Sequence, residues 1–473
     1  MKVLYVTSEA LPFAATGGLG DVAGSLPQAM RKRLVGTRIV MPLYDQISQE
    51  LKDSMRFITS ISVPVSWRRQ YCGIFEAKHN NVIYYLLDNQ YYFKRQGLYG
   101  HYDDAERFAF LSRAALEILP YIEFKPDVIE ANDWQCALAP IYYSQFYANK
   151  EGYSGIKTVF TIHNIAYQGK YGMEILNDVF GLPEEAASLV ESDGSINLMK
   201  GAIEAANMVT TVSPTYAKEI LDPWFAHGLD PILQARSWKL HGILNGIDYD
   251  VYNPETDKDI FENYSIETFK EGKAANKKAL RKHLGLSQKD VPLVGMVTRL
   301  VKHKGIDIVA QVIENILQAD LQMVVLGSGD WNYEQLFKNL MVKYPDKISV
   351  VLGFVPELSK KIYAASDFFL MPSKSEPCGL AQMMALRYGT VPIVRETGGL
   401  KDSVTDMGDG QGNGITFKTY DAYDMLDAIW RAYAAYEDKE KWDNLRKRAM
   451  ECDNSWGKSA NEYIRLFKEL MKQ

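Results

Sequence analysis

Short apolar runs recur along the chain, most ending in a turn that carries glycine, proline or asparagine and giving way to helical spacing. In the first half the runs are Lys2–Ser8, Thr37–Met41, Pro126–Ala131, Lys157–Ile162, Asn207–Val212 and Leu240–Leu244. In the second half they are Val291–Val297, Met323–Leu326, Ile348–Val351, Phe368–Met371 and Val391–Val394. Near-continuous apolar runs of this length are the pattern of strands buried on both faces of a parallel sheet. Helical spacing is predicted from about Leu19 (Val22, Leu26, Met30) and over Asp104–Leu119, Ala274–Leu284, Ile306–Ile316 and Leu380–Tyr388. Between Met55 and Leu87 the pattern alternates instead, which predicts a β meander or hairpins. Ser455–Lys472 predicts an amphipathic terminal helix with Trp456, Tyr463, Leu466, Phe467 and Leu470 on its apolar side.

Strand–helix alternation with glycines after strands predicts an α/β protein of two doubly wound, Rossmann-like domains. The pattern breaks near residues 247–265, where Asp250–Asp259 carries Pro and Asp without an apolar period. The expected domains are therefore 1–246 and 247–473, with the terminal helix 455–472 crossing back to the first. A continuous sheet through residues 200–300 would contradict this division.

Ligands of open α/β sheets bind where strands end and helices begin. The chemistry of this sequence gathers at those points. After the first strand come Glu9 and the turn Thr16-Gly17-Gly18-Leu19-Gly20-Asp21, where backbone donors and a helix dipole can hold an anion; tight packing alone would also explain Gly17 and Gly18. Two later strands deliver Asp133-Trp134 and His163-Asn164 to the same edge. In the second half Arg299 and Lys304 flank a strand end and a helix start, positions suited to a diphosphate or to a solvated cationic face. Phe368–Met371 leads through Pro372 into a loop bearing Glu376, Pro377, Cys378 and Gly379. Glu376 stands where a ligand would be, or it caps the next helix.

Composition narrows the partners. Among 473 residues, 53 Lys and Arg against 59 Asp and Glu give a formal charge of −6, which weighs against a nucleic-acid or anionic-membrane partner. Four scattered cysteines (Cys72, Cys136, Cys378, Cys452) show neither metal-ligand nor disulfide spacing and point to a reducing compartment. Met1-Lys2 runs straight into a strand, without a signal peptide, and no apolar run is long enough to span a membrane, so a cytoplasmic location is expected. Taken alone, these residues imply a cleft enzyme that handles a phosphorylated sugar, with the strand ends of the two domains facing each other.

The motifs in order resemble the bacterial glycogen synthase and plant starch synthase family over essentially the whole chain. They are Thr16-Gly17-Gly18-Leu19, Asp133-Trp134, His163-Asn164-Ile165-Ala166-Tyr167-Gln168-Gly169, Gly242-Ile243-Leu244-Asn245-Gly246-Ile247-Asp248, Arg299-Leu300 with Lys304-Gly305, Pro372-Ser373 through Glu376-Pro377-Cys378-Gly379-Leu380, and Thr397-Gly398-Gly399. The resemblance implies a GT-B fold and retaining transfer of glucose from ADP-glucose to the non-reducing end of an α-1,4-glucan, without a metal or other cofactor. It implies catalytic roles for Glu376, His163, Arg299 and Lys304. Donor contacts would come from Gly17, Gly18, Asn245, Arg299, Lys304, Glu376, Cys378, Gly379 and Leu380. Glu9, Asp133, Trp134 and Asn164 would face the acceptor. Three departures stand out: Glu130, Asn132 and Gln135 occupy positions where many relatives carry His, Ala381 replaces a frequent hydroxyl residue, and Ala15 replaces the Lys of the Lys-Thr-Gly-Gly-Leu pattern.

Overall fold

The computed structural model describes residues 1–473, the side chain of Asp409 apart. It divides into two compact units, Met1–Asn245 with Trp456–Gln473 and Gly246–Ser455.

The first unit is built on Lys2–Val6 (β1), Gly36–Pro42 (β2), Arg56–Val65 (β3), Arg68–His79 (β4), Val82–Asp88 (β5), Val128–Asn132 (β6) and Lys157–Ile162 (β7). Lys170–Gly172 (β8), Glu191–Ser192 (β9) and Ser195–Asn197 (β10) form a small antiparallel sheet, and Met208–Thr211 (β11) and Leu240–Gly242 (β12) complete the main one. The main sheet has nine strands in the order β12-β11-β7-β6-β1-β2-β5-β4-β3. Its strands pair in parallel from β12 to β5, and the alternating 55–87 segment supplies the antiparallel β3–β4–β5 edge. The chain winds outward from β1 through β2, then returns to start again at β6 on the other side. The order therefore reverses between β1 and β6. β1 stops at Val6, two residues short of the expected end, because the Thr7 hydroxyl donates to the Glu9 carbonyl at 2.8 Å and turns the chain.

The second unit carries six strands, all in parallel pairs: Leu293–Val297 (β13), Gln322–Leu326 (β14), Ile348–Val351 (β15), Phe368–Met371 (β16), Val391–Arg395 (β17) and Ile415–Phe417 (β18). Their order is β15-β14-β13-β16-β17-β18, with the reversal between β13 and β16. A core of apolar strand residues (Val294, Met296, Phe368, Leu370, Ile393) packs against the helices Ile306–Gln318 and Ala422–Glu437 through Val309, Val312, Ile313, Met425 and Ile429. The helix Phe269–Leu284 begins five residues before the expected start. Its Lys273 is buried, and its ammonium donates to the carbonyls of Tyr363, Ala364 and Tyr388 and to the Thr390 hydroxyl.

The terminal helix Trp456–Leu470 belongs to the first unit, where it packs on Gly18–Arg31. Tyr463 and Phe467 are fully buried, and Arg33 donates to the Asn461 amide oxygen at 2.6 Å. Phe467→Ala is expected to lower the unfolding free energy by about 3–5 kcal/mol, the cost of an aromatic-sized void, measured by denaturant titration. A loss below about 1 kcal/mol would mean that this helix is not part of the first core.

Candidate functional site

In the second unit the reversal point brings together two loops from distant parts of the sequence. The loop after β13 carries Arg299 and the turn Lys302-His303-Lys304-Gly305, and the loop after β16 carries Ser373 and Glu376. Glu376 is 7% exposed, and its Oε2 accepts from the Lys304 ammonium at 2.6 Å and from the Ser373 hydroxyl at 2.9 Å. Burying a carboxylate is costly unless it is paired and hydrogen-bonded, and these two donors meet that need. Glu376 is therefore no helix cap: the helix Ala381–Arg387 starts at Leu380 without a side-chain cap.

Backbone packing fixes the loops. Gly305 has φ +82°, and a Cβ there would stand 2.2 Å from the Pro372 carbonyl oxygen. Gly398 has φ +44°, and its Cβ would stand 1.9 Å from the Glu376 carbonyl oxygen, so only glycine fits either place. The Thr397-Gly398-Gly399 turn thus supports the Glu376 loop, with the Gly399 N–H donating to the Glu376 carbonyl at 3.2 Å. Buried Gln382 donates to the carbonyls of Cys378 (3.1 Å) and Gly379 (2.8 Å). Arg299 is exposed and its guanidinium donates to His303 Nε2 at 3.3 Å. His303 is held below the usual histidine range by burial and then by the charges of Lys304 and Arg299, which keeps the ring neutral and able to accept.

In the first unit the corresponding edge joins the ends of β1, β6 and β7. Glu9 is 2% exposed and accepts from the backbone N–H and hydroxyl of Thr16, both at 2.7 Å. It ties the glycine turn, whose Gly17 caps the helix Gly18–Arg31, to the end of β1. Asp133 takes φ +55°, an uncommon backbone for a non-glycine residue and strained where it occurs. The turn aims its Oδ1 at the N–H groups of His163 (2.7 Å) and Asn164 (3.3 Å). Burial is the main cause that pushes Asp133 up to about 7. The Asn132 amide donates to the Val6 carbonyl at 3.1 Å, which turns its oxygen toward His163 Nε2 at 2.7 Å. His163, lowered to about 3 by burial, is neutral and carries its proton on Nε2. Trp134 sits in an aromatic group, 5.3 Å from Phe108 and 6.2 Å from Tyr171 between ring centres. Asn245 is 5% exposed, and among the described residues its buried Oδ1 has no hydrogen-bond partner.

Several participants lie in stretches whose sequence assigns them no role of their own. Asp21, one helical turn from the glycines, is pushed up to about 6 by burial and then by Glu9. Tyr99 reaches the Ser8 hydroxyl at 2.8 Å beside Glu9. Ser373 is visible in the sequence only as part of a motif. Departures from the family pattern also acquire physical roles: Asn132 orients His163, and Glu130 is a fully buried strand residue accepting from the Thr161 hydroxyl at 2.9 Å.

The starch synthase catalytic domain family matches residues 2–235, and the glycosyl transferases group 1 family matches residues 277–449. The glycogen synthase of Anoxybacillus flavithermus is 48% identical over 100% of this chain and 98% of its own length. That of Clostridium botulinum is 49% identical over 99% of each. Among solved structures, the catalytic domain of starch synthase IV from Arabidopsis thaliana, bound to ADP and acarbose, superposes with a TM-score of 0.92 at 37% identity, over 100% of this chain and 99% of that one. A sucrose-phosphate synthase from Thermosynechococcus elongatus, 17% identical with a TM-score of 0.63, shares the fold alone. The chain is a two-domain glycosyltransferase of the GT-B class. Within that class it belongs to the glycogen and starch synthase family. No helix among the described residues is long and apolar enough to cross a membrane.

Glu130 gives a test of the buried edge. Burial raises its carboxyl from 4.5 to about 8, so folding takes up a proton there. Its contribution to stability is complete below the unfolded value and is lost as the pH rises through the folded one. Between those pH values the wild type should lose up to about 1.4 kcal/mol per pH unit relative to Glu130→Gln. Melting curves of both proteins from pH 5 to pH 8 should therefore diverge in favour of the variant; parallel curves would show that Glu130 is ionised in the fold.

Proposed function

We propose that this chain transfers glucose from ADP-glucose to the non-reducing end of an α-1,4-glucan with retention at the anomeric carbon. The observation that carries it is the Lys304–Glu376–Ser373 arrangement at the reversal point of the second sheet, in a chain of this family. In the proposed reaction the bond from the anomeric carbon to the diphosphate breaks, and its electron pair leaves with ADP. The acceptor's 4-hydroxyl oxygen forms the new bond, and its proton goes to the departing phosphate.

Arg299, Lys304 and the N-terminus of Ile306–Gln318 would offset the charge that develops on the leaving group, and this proposal invokes no metal or other cofactor. Glu376 would contact the transferred glucose, and the neutral His163 would lie against the same sugar. Gly17, Gly18, Asn245, Cys378, Gly379 and Leu380 complete the proposed donor contacts; Glu9, Asp133, Trp134 and Asn164 are assigned to the acceptor. The same proposal places the chain in the cytoplasm.

Transfer of labelled glucose from ADP-glucose to glycogen tests this directly. Transfer from UDP-glucose alone would assign a different donor, and no transfer from either would leave a glucan-binding relative that keeps the fold. Glu376→Ala and Arg299→Ala are each expected to lower kcat a hundredfold or more, about 3–4 kcal/mol of transition-state stabilisation, with an unchanged far-UV spectrum. Near-normal turnover in either variant would refute its role.

Ala15 marks where this chain departs from the family's lysine. It is exposed and abuts Gly20. A nucleotide-sugar diphosphate carries about two negative charges, which Arg299, Lys304 and the helix N-terminus already offset. A lysine at this wet edge would add about 1 kcal/mol. Ala15→Lys should therefore change kcat/KM for ADP-glucose only several-fold and widen its margin over UDP-glucose. Restoration of an inactive wild type by this substitution would contradict the charge balance.

A further inference from the structure

The Lys304–Glu376 pair joins two loops whose ends lie 72 residues apart in sequence. Lysine is long and flexible, so a 2.6 Å contact needs both loops held in register. Direct ties between them include the Lys374 N–H donating to the His303 carbonyl at 2.9 Å and the close approach of Gly305 to Pro372.

Two further side chains, neither of them at the ion pair, grip the loops from behind. Arg395, at the end of β17 and 9% exposed, donates from Nε to the Ser373 carbonyl at 2.9 Å and from Nη2 to the Lys374 carbonyl. Its fork thereby fixes the peptide units on either side of Lys374. Tyr420 follows β18 and sets its hydroxyl against the Lys302 carbonyl at 3.0 Å and against the Asp307 carboxylate. Lys302 opens the turn that carries Lys304, and Asp307 lies in the first turn of the helix that follows it. The two grips meet, since the Arg395 guanidinium lies 5.8 Å and the Lys374 ammonium 5.9 Å from the Tyr420 ring centre.

We propose that Arg395 and Tyr420 form a bracket that positions Lys304 against Glu376, one residue holding each loop and the cation–π contact locking them together. Both are positioning residues, and their assignment to catalysis rests on the roles proposed above for Lys304 and Glu376. A guanidinium fork suits the task because it reaches two adjacent carbonyls at once, which a lysine cannot do. Tyr420→Phe keeps the ring and removes the hydroxyl tie; Arg395→Lys keeps the charge and removes the fork.

Two readouts in the full chain separate this inference from the proposed activity. The first is acylation of lysines by an amine-reactive ester, mapped by mass spectrometry. Lys304, 18% exposed and paired, should react more slowly than exposed Lys302 in the wild type, and several-fold faster in both variants at unchanged melting temperature. Unchanged labelling of Lys304 overturns the bracket, whatever the chain catalyses. The second is glucose transfer. Misplacing a catalytic group by up to about 1 Å costs up to about a hundredfold, so Tyr420→Phe should lower kcat ten- to a hundredfold with KM changed little. On a Lys304→Ala background the same substitution should change kcat less than twofold. An equal loss on both backgrounds would make Tyr420 a general structural residue and overturn the proposal. A wild type that transfers no glucose would sink the proposed function and leave the labelling result to decide the bracket.

Discussion

A half-exposed carboxylate could be satisfied by water; Glu376 is too deeply set for that. Its stability in the fold depends on Lys304 and Ser373, and much of the second unit's loop structure serves that requirement. Gly305 and Gly398 remove the side chains that would push the loops apart, and Gln382 staples the far side of the Glu376 turn. Removing one partner of such a pair leaves the other charge buried and uncompensated, which costs far more than the pair contributes when intact. The ion pair is thus a constraint on geometry before it is a source of stability.

Both sheets solve the placement problem in the same way. Each reverses its winding once along the parallel strands, between β1 and β6 in the first unit and between β13 and β16 in the second. At a reversal the connections on either side run away from each other, which leaves room at the strand ends for side chains and ligand. Glu9 and Asp133 flank the first reversal, and Lys304 and Glu376 flank the second. In the first unit the loops are fixed by carboxylates receiving backbone N–H groups, as in the Glu9–Thr16 and Asp133–His163 contacts. In the second they are fixed by cations donating to carbonyls and carboxylates.

The sequence revealed the strands because parallel strands buried on both faces must be apolar throughout, and the glycine and proline turns mark their ends. β7 and β15 coincide with the expected residues. Helices such as Lys439–Glu451 escaped notice because a mostly charged surface obscures their apolar stripe, here Trp442, Leu445 and Ala449. At the site the residue types were legible and their pairings were not. Glu376 could be read as a cap because its partner Lys304 lies 72 residues earlier. Arg395 and Tyr420 lie in ordinary-looking sequence, and their importance comes from which carbonyls they reach. The Asp133 backbone is equally hard to read, since aspartate tolerates positive φ without requiring it.

Under the proposed function Lys304, which Glu376 holds at 2.6 Å, exchanges that carboxylate for the diphosphate of the donor. Calorimetric titration of ADP into the wild type and Glu376→Gln tests it most directly. Removing the carboxylate's charge releases Lys304, so ADP should bind the variant several-fold more tightly even though its turnover is lost. Binding that is equal or weaker in Glu376→Gln would contradict the account, because it would show that Lys304 is not in balance between the carboxylate and the phosphate.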